Sequence, residues 1–238
     1  MRKSVCMATY NGAKYIEEQL NSILPQLLSD DEIIISDDYS SDNTLEIISN
    51  IADSRIKVFK NELGKGYTNN FINAINKSNN ELIFLSDQDD VWMNNKVELC
   101  LKYIYDGADM VISDSTIVNQ DLEIIDFSFF KARGSKEGLF QNIKKAGYLG
   151  CNIAFKRTVV NKIFPYPSYI NMIPYDLWIG ICGMCFYKVK WLDTPLIYYR
   201  RHGENTSDGG ISKSKNSFLY KLNYRIVLIF LLIKRFFK

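Results

Sequence analysis

Asp87, Asp89 and Asp90 put three carboxylates within four positions, directly behind the apolar run of residues 82–85. Asp37 and Asp38 follow a second, β-branched run at residues 32–36. Carboxylates this close repel one another. They stay ionised together only when geometry spreads them or a cation neutralises them. A hard divalent cation, Mg2+ or Mn2+, takes such oxygen ligands and is commonly shared with substrate phosphates. Phosphate binding without a metal would need a glycine-rich loop, and neither G-x-G-x-x-G nor a Walker A sequence occurs in the chain. The two clusters predict a diphosphate held through a metal, against the plain alternative of acidic turns and helix caps.

The rest of the composition narrows the chemistry. His202 is the one histidine among 238 residues, so zinc sites built on two or three histidines are excluded. A general base is then expected to be Asp or Glu. The net charge is only +2, which argues against nucleic acid as a partner. That balance hides an asymmetry: residues 209–238 hold seven Lys/Arg and no Asp/Glu, leaving residues 1–208 at −5. The five cysteines are irregularly spaced, and Cys182 and Cys185 form a lone C-x-x-C without a second pair or a nearby histidine. They read as small residues in an apolar segment of a protein of the reducing cytoplasm. Residues 4–8 are too short an apolar run for a secretory signal and read as a first strand.

Positioning these groups takes strands that end at a common edge. Short strand patterns at residues 4–8, 32–36, 56–59, 82–85 and 109–113 alternate with helical spacings at 12–28, 42–51, 67–77 and 94–105. Asn11 is the expected N-cap of the first helix. This alternation implies an α/β fold with a mostly parallel central sheet and helices on both faces. In such sheets ligands bind outside the carboxyl ends of the strands, where Thr9 to Gly12, Asp37 with Asp38, and Asp87 to Asp90 all fall. Farther on, residues 126–146 read as loops and a helix over one mouth of the sheet. Residues 148–155 read as a strand, 176–185 as a buried helix, 195–200 as a strand and 203–215 as a loop.

Three segments carry a family resemblance: Thr9-Tyr10-Asn11-Gly12, residues 34–44 (IISDDYSSDNT), and residues 85–92 (LSDQDDVW). Their order and spacing, over residues 1–210, resemble glycosyltransferase family 2. The nearest likeness is to its rhamnosyltransferase-like bacterial members, which build capsule, O-antigen and exopolysaccharide. The resemblance implies a GT-A domain over 1–210, with a nucleotide-sugar half at 1–115 and an acceptor half at 116–210. It implies inverting transfer from a nucleotide-diphosphate sugar to a saccharide or lipid-linked acceptor.

On that pattern Thr9, Tyr10 and Asn11 line the nucleotide, and Asp38 contacts the base or ribose. Asp87, Gln88 and Asp89 take the D-x-D position, Asp89 binding Mn2+ or Mg2+ and Asp87 binding ribose or metal. Asn70 sits where relatives approach the donor; as a residue by itself it equally suits a helix N-cap. Asp176, in Pro174-Tyr175-Asp176-Leu177-Trp178, falls where the family carries its base, because an inverting displacement needs a proton acceptor opposite the departing diphosphate. Taken alone, Asp176 reads as a helix N-cap. Tyr175 departs from the Glu or His of many relatives. In residues 198–207 (YYRRHGENTS) the resemblance makes His202 a metal ligand, where a lone histidine in a polar loop would otherwise be solvated. It also lets Arg200 or Arg201 meet the diphosphate, the sequence leaving open which of the two faces inward.

Residues 211–238 form an apolar, basic helical tail. Its longest uncharged run, residues 226–233, is far short of the roughly 20 residues a span requires. Lys221, Arg225, Lys234, Arg235 and Lys238 flank it, which suggests an interfacial helix and a peripheral place on the inner face of the cell membrane. Leu228 and Leu232 interrupt the polar stripe of Lys221 and Arg225, so packing against another subunit competes with that reading. Two other activities fit parts of the chain. Asp87 to Val91 matches the D-x-D-x-[TV] pattern of haloacid-dehalogenase-like phosphatases, with Asp87 as nucleophile. A non-catalytic nucleotide-sugar binder at the membrane would need only the donor half.

Overall fold

The computed structural model describes residues 1–167, 173–203 and 217–237. The chain starts with β1 (Lys3–Thr9), α1 (Ile16–Ile23), β2 (Glu32–Asp37), α2 (Thr44–Ile51), β3 (Ile56–Lys60) and α3 (Tyr67–Lys77). It continues through β4 (Leu82–Ser86), β5 (Val91–Trp92), α4 (Lys96–Tyr105), β6 (Met110–Val118) and β7 (Ile124–Asp126). Two short helices follow, α5 (Phe129–Arg133) and α6 (Leu139–Lys144), then β8 (Ile153–Lys156) and α7 (Val160–Ile163). The last elements are α8 (Tyr175–Phe186), β9 (Val189–Arg200) and α9 (Phe218–Phe236).

The strands form one sheet in the order β3-β2-β1-β4-β8-β6-β9-β5, with β7 paired to β6. Strands β1, β2, β3, β4, β6 and β9 point one way; β5, β7 and β8 run against them. The β-branched run of β2 and the apolar run of β4 are buried along their whole length, as central strands covered on both faces should be. Strand β3 closes one edge and is half polar, with Lys57 and Lys60 on it. Helix α3 packs on β1 and β2, burying Phe71, Ala74 and Ile75. The order reverses at β1, whose neighbours are β2 and β4, so the ends of these three parallel strands open one crevice.

Three expectations change, and the helical tail gains a position. Helix α1 begins at Ile16 with Tyr15 as its N-cap, so Asn11 does not cap it. Asn11 has φ +47°, in the left-handed region, and its Oδ1 accepts the Ser41 N–H at 2.8 Å. Strand β8 starts only at Ile153, because Gly150–Asn152 turns in a 3-10 helix. Strand β9 begins before Pro195: pairing with β6 skips from Leu192 to Pro195, and this bulge lets a proline stand inside a strand. The tail is a helix docked on the body, on α6 and α8, with Leu228, Leu231 and Leu232 buried. Apart from Gly203, the loop expected at 203–215 lies outside the described residues, as does Lys238.

Candidate active site

The edge formed by β1, β2 and β4 is tied together by side chains. Thr9 is buried; its hydroxyl donates to Asp37 Oδ1 at 3.1 Å, and its carbonyl accepts from Asp38 N at 2.9 Å and Asn70 Nδ2 at 3.0 Å. Asn70 therefore holds the end of β1. It lies within α3, whose N-cap is Gly66, so the capping alternative does not hold. Asp38 accepts from Asn61 Nδ2 at 2.9 Å and Gly66 N at 2.7 Å, pinning the loop before α3. Gln88 gives both ends of its amide to Tyr10: Oε1 accepts the Tyr10 N–H at 2.9 Å and Nε2 donates to the Tyr10 carbonyl at 3.0 Å. Its first task is thus to fasten β1 to the acidic loop, while the Tyr10 side chain is exposed. The amide passes so close to Gly12 that a Cβ there would lie 2.3 Å from Gln88 Oε1.

Behind this edge lies the acidic loop. Asp87, Asp90 and Cys151 each turn a ligand atom toward a common point, all within 4.8 Å of one another. Burial raises the Asp87 carboxyl well above the usual range, and the charges of Asp90, Asp89 and Asp176 add to it. Burial and the Asp89 charge push Asp90 up to about 7. Asp90 Oδ1 accepts the Arg200 N–H at 3.0 Å, while Oδ2 is buried without a hydrogen-bond partner. Asp89 meets His202, which comes from 113 residues away, with Nε2 and Oδ2 2.9 Å apart. The His202 ring lies against Tyr15, with centroids 4.9 Å apart.

Crowded carboxylates, an orphaned buried oxygen and one imidazole are a donor set suited to a hard or borderline divalent ion such as Mn2+ or Mg2+. Asp87 and Asp90, whose ligand atoms converge, and the Asp89–His202 pair are the groups from which such a site would be drawn. Burial pushes the Cys151 thiol well up, which keeps it protonated and a poor ligand for such an ion.

Arg200 organises this pair. It is buried, its Nε donates to the Asp89 carbonyl at 2.8 Å, and its other nitrogens reach the Gln120 carbonyl and Glu18. Its guanidinium also covers the Tyr15 ring at 4.7 Å. Arg201 follows β9, half-buried, and its N–H donates to the Val118 carbonyl at 2.8 Å. Tyr15, Glu18 and Cys151 were not singled out from the sequence. Tyr15 and Glu18 flank the apolar stripe of α1 as polar groups one turn apart, and that was the readable signal; Cys151 had none.

Asp176 approaches from the other side. It stands in the first turn of α8, whose N-cap is Pro174, so it is not itself the cap. Its Oδ1 accepts the Leu177 N–H at 2.8 Å, while burial raises its carboxyl above the ordinary range. Tyr175 beside it stacks on Phe71 at 4.0 Å between centroids. The structure thus brings Asp87, Asp89, Asp90, Asp176 and His202 to one basin. Asn11 is exposed and is tied to the Ser40–Ser41 loop.

Residues 4–164 match the profile of glycosyl transferase family 2. The chain belongs to this family. It is 30% identical over 220 residues to an uncharacterized glycosyltransferase of Nostoc sp., spanning 86% of this chain and 66%, just under two thirds, of that protein. It is 27% identical to the Escherichia coli UDP-Glc:alpha-D-GlcNAc-diphosphoundecaprenol beta-1,3-glucosyltransferase WfaP, over 95% of this chain and 90% of WfaP. The fold of this family 2 member superposes on S. aureus TarS 1–349 in complex with UDP-GlcNAc with a TM-score of 0.71. That match covers 96% of this chain and 66% of TarS 1–349 at 20% identity, and so speaks to the GT-A fold alone. For a family 2 glycosyltransferase the phosphatase alternative, which made Asp87 a nucleophile, falls away.

Proposed function

We propose that this glycosyltransferase moves a sugar, with inversion, from a nucleotide-diphosphate sugar to a lipid-linked saccharide in cell-surface polysaccharide assembly, working at the membrane face. The observation that carries the reading is the convergence of Asp87, Asp89 and His202 with Asp176 at the carboxyl ends of β1, β2 and β4. WfaP, related along nearly its whole length, is named for a UDP-sugar donor and a diphosphoundecaprenol acceptor, which supports the same classes here.

The roles follow from position. The β1 end, at Thr9, Tyr10 and Asn11, together with Asp38, frames the nucleoside. Asn70 and Gln88 hold that frame in place. Because Arg200 is buried beneath Asp89, the diphosphate role goes to Arg201. Asp89, His202 and Asp87 would hold Mn2+ or Mg2+, which when bound would neutralise charge on the leaving diphosphate. Asp176 takes the proton of the acceptor hydroxyl as that oxygen attacks the anomeric carbon. The bond from the anomeric carbon to the diphosphate oxygen breaks on the opposite face, and the nucleoside diphosphate leaves.

The test is transfer of label from a panel of nucleotide sugars to a short-chain lipid diphosphate saccharide, with and without Mn2+. The wild-type chain should transfer one of them with inverted configuration. D176N and D89A should lose about 10^2-fold or more of the rate while melting at the wild-type temperature. Near wild-type transfer by D176N would remove Asp176 from the mechanism. Donor binding without turnover on every acceptor would favour a silent binder.

A further inference from the structure

Helix α9 is apolar on two sides. Its inner side, Leu228, Leu231 and Leu232, is buried against the body. Two of its cations are spent there as well. Arg225 donates to the carbonyls of Ile143 and Lys144, and Arg235 to those of Ile163 and Pro165. This explains why leucines interrupt the basic stripe: that stripe is the docking face. The outer side carries Leu222, Ile226, Ile229, Phe230 and Ile233, all exposed, at the spacing of a single helical face. Phe140, on the α6 helix that touches α9, is exposed too. A helix apolar all round is ordinarily covered, and a contiguous exposed patch marks an interaction surface.

Charge selects the occupant. With Arg225 and Arg235 spent on the body, Lys221 and Lys234 remain as cations of the described helix, Lys144 and Lys145 add exposed cations at α6, and residues 209–238 contain no Asp/Glu to offset them. A second copy laid on this face would set like charges against each other, whereas an anionic surface complements them. Lys234 Nζ lies over the Phe230 ring, 4.4 Å from its centroid, so a cation sits directly beside the exposed apolar side. None of the described helices is long and apolar enough to cross a membrane.

We infer that α9, docked on the body by its Arg225–Leu228–Arg235 side, lies flat on an anionic lipid surface through its Ile226–Phe230–Ile233 side. The inference deepens the proposed function, on which it rests for the acceptor. The helix packs on α8, whose first turn bears Asp176. A lipid-held saccharide would meet the base without leaving its membrane.

The test is co-sedimentation of the full chain with phosphatidylcholine vesicles, with and without phosphatidylglycerol. Binding should require the anionic lipid and weaken with added salt. The double variant Ile226→Asp/Phe230→Asp should lose about a hundredfold or more in partitioning. Its melting temperature and its transfer to a water-soluble acceptor should match wild type, since both side chains are exposed. Equal binding by variant and wild type would overturn the inference. So would absent vesicle binding together with a concentration-dependent dimer that the variant abolishes. Vesicle binding needs no catalysis, so intact binding without any sugar transfer would refute the function while upholding the surface.

Discussion

At the residue scale, Asp176 and Arg200 make separate predictions. A base works deprotonated, and burial raises the Asp176 carboxyl above its ordinary value. Transfer should therefore be full above that raised pKa and lost as pH falls through it. The acid limb of kcat/KM should lie higher than the ~3.9 of a free aspartate; a limb at or below that value would contradict the assignment. Arg200 touches no substrate in this account. It fixes Asp89 through its carbonyl and braces His202 through the shared Tyr15 ring. Arg200→Ala should weaken Mn2+ binding about 10–100-fold, read by electron paramagnetic resonance of the free ion. Because His202 is the single histidine, paramagnetic broadening of its one imidazole signal reports the same loss without any activity measurement. Arg200→Lys should recover little, since an ammonium cannot reproduce the fork. The motif around these residues was legible because acidic clusters and a lone histidine stand out by type. Arg200's partners were not, since nothing in Tyr15 or Glu18 tells a reader that a strand nearly two hundred residues on will fold over them.

At the element scale, the sequence is most readable where periodicity and burial agree. The limits of α3 follow directly from its helical spacing, and the β-branched run before Asp37 is β2. The misreadings arise where tertiary contact overrides local pattern. Residues 148–152 are apolar enough for a strand, yet the chain turns at Gly150 because Tyr175 needs the space: a Cβ there would lie 2.1 Å from Tyr175 Oη and 3.3 Å from Asp176 Cβ. Tyr175 cannot retreat, since its ring stacks on Phe71. Gly150→Ala should thus displace the first turn of α8 and, with it, Asp176, the proposed base. We expect kcat to fall at least about tenfold, with a stability cost of about 1–3 kcal/mol. Donor affinity should change less than kcat, because the added Cβ meets Tyr175 and Asp176 rather than β1, β2 or β4. A variant with full kcat and only a lower melting temperature would mean that the turn is structural and that Asp176 tolerates displacement.

At the scale of the whole molecule, the near-neutral charge conceals a division of labour that composition alone half reveals. The acidic body concentrates its carboxylates at one sheet edge, and the basic segment supplies a helix that the body holds on α6 and α8. The sequence showed the charge run and the missing span, but not that the helix would be docked, because a face mixing leucine with arginine looks amphipathic in neither direction. Docking changes what a lesion in the tail should do. Leu228 is 0% exposed and Ile226 is 57% exposed, although they are neighbours on the same helix. Leu228→Ala should cost about 2–5 kcal/mol of unfolding free energy, because it removes a packed side chain and leaves a cavity beside α8. Ile226→Ala should stay within about 0.5 kcal/mol, while being the change that weakens vesicle binding. Urea unfolding of the two variants separates these effects. If Leu228→Ala were as stable as wild type, α9 would be held too loosely to orient the body on any surface, and the coupling between tail and acceptor cleft would fail with it.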